Sequence, residues 1–295
     1  MSQGDLYAIL AGLFWALSVI LLRISTFRIR TEALTLFKSA VASVCFIILI
    51  LVVGEPLVRE LPMRDYLLLI ASAFLGITIA DTLFTAALSR LGASLQAIAD
   101  CVYSPAMIGV GYLMFREVLG VWEWAGGALV VAGVAVGMTK TAEVKSRKDL
   151  IVGVVLAVSA HVIMAVGILM VRDLLRDHSV VWISGFRFAV ASLALVPLAL
   201  IRLKPRDAFA GFTMLDTWKV TIPMSILGPC IATICWTAGF KFLSAGRAAI
   251  YNQMATVFII VLAVVFLKES FTKRKALGAG LSIAGAVLVS LQKIL

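Results

Sequence analysis

Asp81 and Asp100 lie inside long apolar runs, where a carboxylate has little water to solvate it. A charge at the centre of a bilayer costs roughly 2.5–3.5 kcal/mol on insertion scales, so an acid at that depth invites a functional reading. The short turn near Arg90-Leu91 lies about nine residues after Asp81 and about nine before Asp100. At about 1.5 Å per residue, both acids then sit roughly 14 Å below one surface, near the midplane and on neighbouring helices. Thr85 and Ser104 follow them by four residues, hence on the same helical faces. Such a group can bind an ammonium ion. Two acids at one depth in a low dielectric should not both ionise freely, which predicts proton exchange through Asp81 or Asp100. His161, at mid-depth of a later run, is a third candidate relay; its plainer reading is a hydrogen-bonded packing residue.

Tyr103 shares a face with Gln96 and Asp100 at i, i+4 and i+7, which makes it a candidate contact for a substrate. Trp236 lies deep in its run, as do Trp15 and Tyr103, away from the usual interfacial belt. Laid over itself, the chain puts Thr233 and Thr237 under Asp81 and Thr85, and Asn252 and Thr256 under Asp100 and Ser104. The expected substrate-contact set is therefore Asp81, Asp100, Tyr103, Trp236, Asn252 and Gln253. Lys38 can either pair with one of the acids or extend back to the headgroups. For Arg187 the nearest short path is to the interface, and a structural role is expected.

The elements that hold these residues are apolar throughout. Hydrophobic residues make up 62% of the 295 and charged ones 14%, against about a quarter charged in soluble proteins. Ten spans are expected at approximately 5–22, 33–53, 66–88, 94–114, 121–138, 150–171, 180–201, 218–240, 247–267 and 275–292. Helices are the natural form, because an open sheet cannot satisfy its backbone in lipid and barrel strands are shorter. The fold class expected is an all-α membrane protein of ten transmembrane helices. The first run lacks a basic leader and an A-x-A site, so a retained first span is expected. The net charge of +10 does not point to nucleic acid, since the basic residues sit between the spans. Cys45, Cys101, Cys230 and Cys235 lie in apolar runs without a CxxC, and read as small core residues; no metal site and no cofactor are expected.

The chain also repeats itself. FKSAVAS at 37–43 returns as FRFAVAS at 186–192, 149 residues later. At a shift of 152, residues 75–138 lie over 227–290 without a gap, with sixteen identities in 64 positions. Two five-helix units follow, at 1–140 and 141–295. Five is odd, so the second unit enters the membrane from the opposite side. Inverted repeats of this kind are a design of secondary transporters, with the site at the midplane between repeats. Gly126, Gly133 and Gly137, with Gly278, Gly280 and Gly285, give the fifth and tenth spans a small-residue face. Glu117 and Glu269, beside Arg116 and Lys268, read as interfacial charges at helix ends.

The segments SRLGASLQAIADCVYSPAMIGVGYLMFREVLG and FLSAGRAAIYNQMATVFIIVLAVVFLKESF resemble the EamA unit of the drug/metabolite transporter superfamily. The resemblance covers essentially the whole chain, with a basic residue early in each second span and an acid closing each fourth. It departs where Val257 replaces the fourth-span proline seen as Pro105, and where Trp15-Ala16 stands for Trp-Gly. It implies export of amino acids, metabolites or drugs, or exchange of nucleotide sugars or triose phosphates. It also implies termini inside. Basic residues outside the spans divide 16 to 8 in favour of the loops opposite the termini, which by the positive-inside rule implies the reverse.

The sequence thus predicts a multi-pass transporter in the cell (plasma or inner) membrane. Its expected partners are the lipid bilayer, a small-molecule substrate and protons, with the chain a monomer or homodimer. An amino acid or organic amine suits two acids. An anionic sugar phosphate would want cavity cations, and Lys38 and Arg187 are the candidates. No G-x-x-x-x-G-K-[ST] binds ATP. An intramembrane enzyme would need convergent nucleophile and base, which two histidines do not supply; a lipid-facing scaffold would not need mid-depth acids.

Overall fold

The computed structural model describes residues 3–116, 120–139, 141–236 and 245–291, with side chains outside 3–5, 245–253 and 289–291. The long helices are α1 (Gln3–Ser25), α2 (Thr31–Val53), α3 (Met63–Leu91), α4 (Ala93–Phe115) and α5 (Val121–Gly137). They continue with α6 (Arg147–Leu169), α7 (Val180–Arg202), α8 (Leu215–Trp236), α9 (Ala245–Leu267) and α10 (Lys273–Leu291). Among the described residues there is no strand. Among the described residues, seven helices are long and apolar enough to cross a membrane: α1 from Leu6, α2, α3, α4, α6, α7 and α8. Val121–Gly137 and Met254–Leu267 are shorter apolar helices. Val52, Leu193 and Ile201 are among the large apolar side chains left on the outer surface, as expected where the solvent is hydrocarbon.

The sequence repeat is written into the backbone. A π-helical turn at Phe74–Ile79 in α3 returns at Ile226–Ala232 in α8, at the same separation of 152. Arg116 and Lys268, which end α4 and α9, both adopt left-handed φ, 57° and 56°. The repeats differ at Pro105. Proline lacks an N–H and its ring clashes with the carbonyl four residues earlier, here Cys101. The helix Ala93–Asp100 accordingly stops, Cys101 and Val102 form a turn, and a new helix runs from Tyr103 to Phe115. With Val257 at the matching place, Ala245–Leu267 is one helix. The expected fourth span, 94–114, is thus present with a break in it, and the break sits beside Asp100.

Helices of one repeat pack mainly on helices of the other: α1 on α8 and α9, α2 on α7, α3 on α6, α4 on α6 and α9, and α5 on α10. The Ser18 hydroxyl donates to the Met224 carbonyl between α1 and α8, and the Ser72 hydroxyl to the Gly167 carbonyl between α3 and α6. The duplicated phrase lies where the repeats meet. Ser43 and Ser192 touch through their hydroxyls at 3.1 Å, and Phe46 stacks on Phe188 with centroids 5.7 Å apart.

The small-residue face packs within the chain. A Cβ on Gly285 would lie 2.6 Å from the Gly126 carbonyl oxygen, and one on Gly278 would fall inside contact distance of the Gly137 backbone. Gly280, expected on this face, looks into open space.

The α1–α2, α3–α4, α5–α6, α7–α8 and α9–α10 connections contact one another and the neighbouring helix ends at one end of the bundle. Most of the apolar core lies there, including Leu22, Leu34, Leu88, Leu91, Leu95 and Ile98. Glu269, just past the end of α9, is buried. Its carboxylate accepts the N–H groups of Ala93 (2.7 Å) and Ser94 (2.8 Å), the first turn of α4, where the helix dipole favours an anion. Gly92, at φ +81°, makes this approach possible, since a Cβ there would sit 2.8 Å from the carboxylate. Arg23 donates to the carbonyls of Leu88 and Ser89, at 3.1 and 2.7 Å. Glu143 accepts from the Ser270 N–H at 2.5 Å and lies 3.6 Å from the Lys275 ammonium, which itself donates to the Ser270 carbonyl.

Burial opposes ionisation of Glu143, but Thr141, the N–H groups of Ser270 and Glu143, and the Lys275 charge outweigh it and hold the carboxyl at about 2. A carboxyl held below its unfolded value stabilises the fold above that value and loses the contribution only as pH falls through the folded one. Glu143→Gln should therefore melt below wild type by the same margin at about pH 5.5 and about pH 8, with the margin shrinking only in stronger acid. The glycine seam gives a second expectation. Gly278→Ala forces two backbones apart and should lose about 1–3 kcal/mol in detergent unfolding, while Gly280→Ala on the same helix should not be destabilised.

Candidate functional site

A cavity of about 280 Å³ lies between the repeats. Its walls come from α1, α2, α3, α4, α6, α7, α8 and α9; α5 and α10 contribute nothing to the lining. Both π-helical turns border it, through Gly76 and Ile77 on one side and Pro229 and Ala232 on the other. A π turn disturbs the regular backbone ladder and is often found at working sites.

Lys38 chooses between the acids. Its ammonium lies 2.7 Å from Asp81, and both side chains are almost fully buried. Thr85 turns its hydroxyl to the Asp81 backbone carbonyl, and so does not compete for the carboxylate. The pair ties α2 to α3 within the first repeat.

Asp100 has other company. The Gln96 amide, one turn earlier, donates to its carboxylate at 2.7 Å. The His161 Nε2 lies 3.2 Å from the same oxygen, reaching across from α6. The other ring nitrogen, Nδ1, is 2.9 Å from the Ala157 carbonyl. A carbonyl only accepts, so Nδ1 carries a hydrogen and a neutral ring would turn a lone pair toward Asp100. A proton between His161 and Asp100 converts that contact into an attraction. Phe84 and Tyr103 pack against the imidazole, with centroids 6.1 and 5.9 Å from it.

Tyr103, Trp236, Thr233 and Thr256 line the cavity with Asp81, Asp100 and His161. Arg187 lines it as well, which corrects the expectation that it reaches for the interface. Its path outward is replaced by a close approach to α3: a Cβ on Gly76 would lie 2.9 Å from the guanidinium. Thr237 and Glu117, and the side chains of Asn252 and Gln253, lie outside the described residues. Reading the sequence placed Gln96 on the Asp100 face without naming it a partner. It had no signal for the Asp100–His161 contact, which joins residues from different repeats.

The pattern of the EamA-like transporter family matches residues 2–139 and again 151–291. The chain is 26% identical over 118 residues to a protein named probable 4-amino-4-deoxy-L-arabinose-phosphoundecaprenol flippase subunit ArnF, of Pseudomonas paraeruginosa; the match covers 37% of this chain and 86% of the relative. An uncharacterized transporter of Archaeoglobus fulgidus is 25% identical over 39% of either chain. Another, of Methanothermobacter thermautotrophicus, is 21% identical over 77% of this chain and 65% of its own. A solved crystal structure aligns over 100% of this chain and 98% of its own with a TM-score of 0.69 at 18% identity, a likeness of fold.

The Lys38–Asp81 contact predicts a non-additive pair. Lys38→Ala leaves a buried carboxylate without its cation and should cost about 3–5 kcal/mol. Adding Asp81→Asn should return much of that loss in thermal unfolding, whereas strictly additive shifts would mean that the two do not depend on each other.

Proposed function

The chain belongs to the EamA-like transporter family, and we propose that it is a secondary transporter that exports a small amino acid or organic amine. In this reading ten helices form two inverted repeats, 1–140 and 141–295, in the plasma or inner membrane. The site alternates between faces, with Asp100 as the acidic pole for a substrate ammonium group. Asp81, Tyr103 and Trp236 shape the site beside it. The observation that carries the reading is the cavity between the repeats with Asp100 on its wall, at the end of a helix broken by Pro105.

Alternating access needs one end shut while the other is open. The buried charges of Glu269, Lys275 and Arg23, with the half-buried Glu143 and the apolar core around them, support a state closed at that end. Hydrogen bonds to helix ends suit a gate, because water can replace them when the end opens. The proton-sensitive contact between His161 and Asp100 supports coupling to protons, the substrate ammonium and the proton competing for one carboxylate.

Exchange of a sugar phosphate is less well supported, because Lys38 is already committed to Asp81. A lipid-linked substrate, as in the names of the Pseudomonas relatives, fits a cavity of about 280 Å³ less well.

Proteoliposomes loaded with labelled amino acids, amines or sugar phosphates test the reading. Wild type should move at least one amino acid or amine, faster with an imposed proton gradient. Asp100→Asn keeps the shape and removes the charge, and should lower transport by about tenfold to a hundredfold, the scale of one charged contact, without loss of folded protein. Wild-type rates in Asp100→Asn would refute the assignment. A wild-type rate indifferent to pH and gradient would leave a facilitator.

A further inference from the structure

The two repeats treat their intramembrane cations differently. Lys38 and Arg187 occupy the same place in the duplicated phrase. Lys38 meets Asp81, which is held beside the π-helical turn of α3. The residue that stands under Asp81 in the second repeat is Thr233, beside the π-helical turn of α8. The second repeat therefore keeps the cation and omits the anion.

Among the described residues no carboxylate lies within ion-pair distance of Arg187. Its Nε is buried and makes no hydrogen bond. Tyr103 lines the same cavity and packs on His161, the neighbour of Asp100. Arg187, Tyr103, His161 and Asp100 thus form one polar wall of the cavity, cationic at one end and anionic at the other. A partly buried cation without a counter-ion nearby is costly, and a planar guanidinium is well matched to a carboxylate.

We propose that Arg187 is the docking point for a carboxylate on the transported molecule, the substrate supplying the anion that Thr233 does not. The inference rests on the transport reading above and narrows it: the substrate carries a carboxylate as well as an ammonium group. With Lys38 neutralised by Asp81, Arg187 is the one Lys or Arg among the described lining residues left for the substrate. That charge matches a carboxylate better than a doubly ionised phosphate.

The test uses purified full-length protein and probes matched in all but one group. L-Phenylalanine is compared with phenethylamine and 3-phenylpropionate, and L-leucine with isoamylamine, with glucose 6-phosphate as the phosphate arm. Binding is read by thermal shift and uptake in proteoliposomes. Wild type should prefer each amino acid to its decarboxylated amine by about tenfold or more, the discrimination that one lost charged contact brings. Arg187→Gln should bring that ratio near one while the protein remains monodisperse. Arg187→Lys should keep part of it. Thr233→Asp gives an independent arm that does not remove the cation. By the repeat it should pair with Arg187 as Asp81 does with Lys38, raise the melting temperature and abolish the preference for the amino acid.

An unchanged ratio in Arg187→Gln, or in a folded Thr233→Asp, overturns the inference. So does wild-type uptake of the amines equal to that of the amino acids, although transport of amines would leave the proposed function standing. Preference for glucose 6-phosphate overturns both, as does binding of no probe at all.

Discussion

A charge inside the bilayer must find its opposite within the protein, and the Lys38–Asp81 pair is where this chain meets that demand most directly. The two side chains are almost fully buried at 2.7 Å. In water such a contact is worth little, but with both partners desolvated the loss of either leaves a charge that nothing nearby can solvate. The pair therefore fixes the relation of α2 to α3 on the cavity wall. It also removes Lys38 from the list of groups free to meet a ligand, and so sets the charge that the rest of the cavity presents.

The remaining polar groups take their positions from small departures from helical regularity. Pro105 ends the first half of α4 at Asp100, so the carboxylate sits at a helix end, with Gln96 behind it and His161 across from it. The π-helical turns in α3 and α8 stand at matching places and both border the cavity. Symmetry builds the frame, and three substitutions between the repeats break it chemically: Val257 for Pro105, Thr233 for Asp81 and Asn252 for Asp100. The acids of the site all come from the first repeat.

How much of this was legible in the sequence follows from what each signal measures. Apolar run length reports the helices directly, and their bounds agree with the expected spans to within a few residues over most of the chain. The duplicated phrase marked the place where the repeats touch, because residues near an internal two-fold meet their own copies, as Ser43 meets Ser192. Depth along a helix could be counted, so Asp81 and Asp100 were found. Direction around the bundle could not. The sequence left Lys38 a choice of two acids, pointed Arg187 to the interface because it lies few residues from a span end, and placed Glu269 at a helix end without naming its partner. Their actual neighbours, Gly76 for one and the first turn of α4 for the other, come from helices distant in sequence. The contact of His161 with Asp100 was hidden for the same reason.

The two kinds of packing in the bundle differ in what they allow to move. Between α5 and α10 glycine backbones meet, with Gly285 against Gly126 and Gly278 against Gly137. Such a seam has no layer of side chains to repack, so displacement along it exchanges close contact for clash or void. These helices also stay out of the cavity lining. At the end that bears the α1–α2 and α3–α4 connections the contacts are of another kind. Glu269 holds the start of α4, Arg23 the end of α3, and Glu143 the turn before α10, each through hydrogen bonds that water can supply instead. A bundle that alternates between two openings needs one part that keeps its geometry and another that can let go. On the proposed reading, the glycine seam serves the first requirement and the capped helix ends the second. The helices between them, α3 and α8, carry π-helical turns beside the cavity, where the backbone ladder is already irregular. A hinge placed there would bend each repeat at the depth of the site and leave the seam intact.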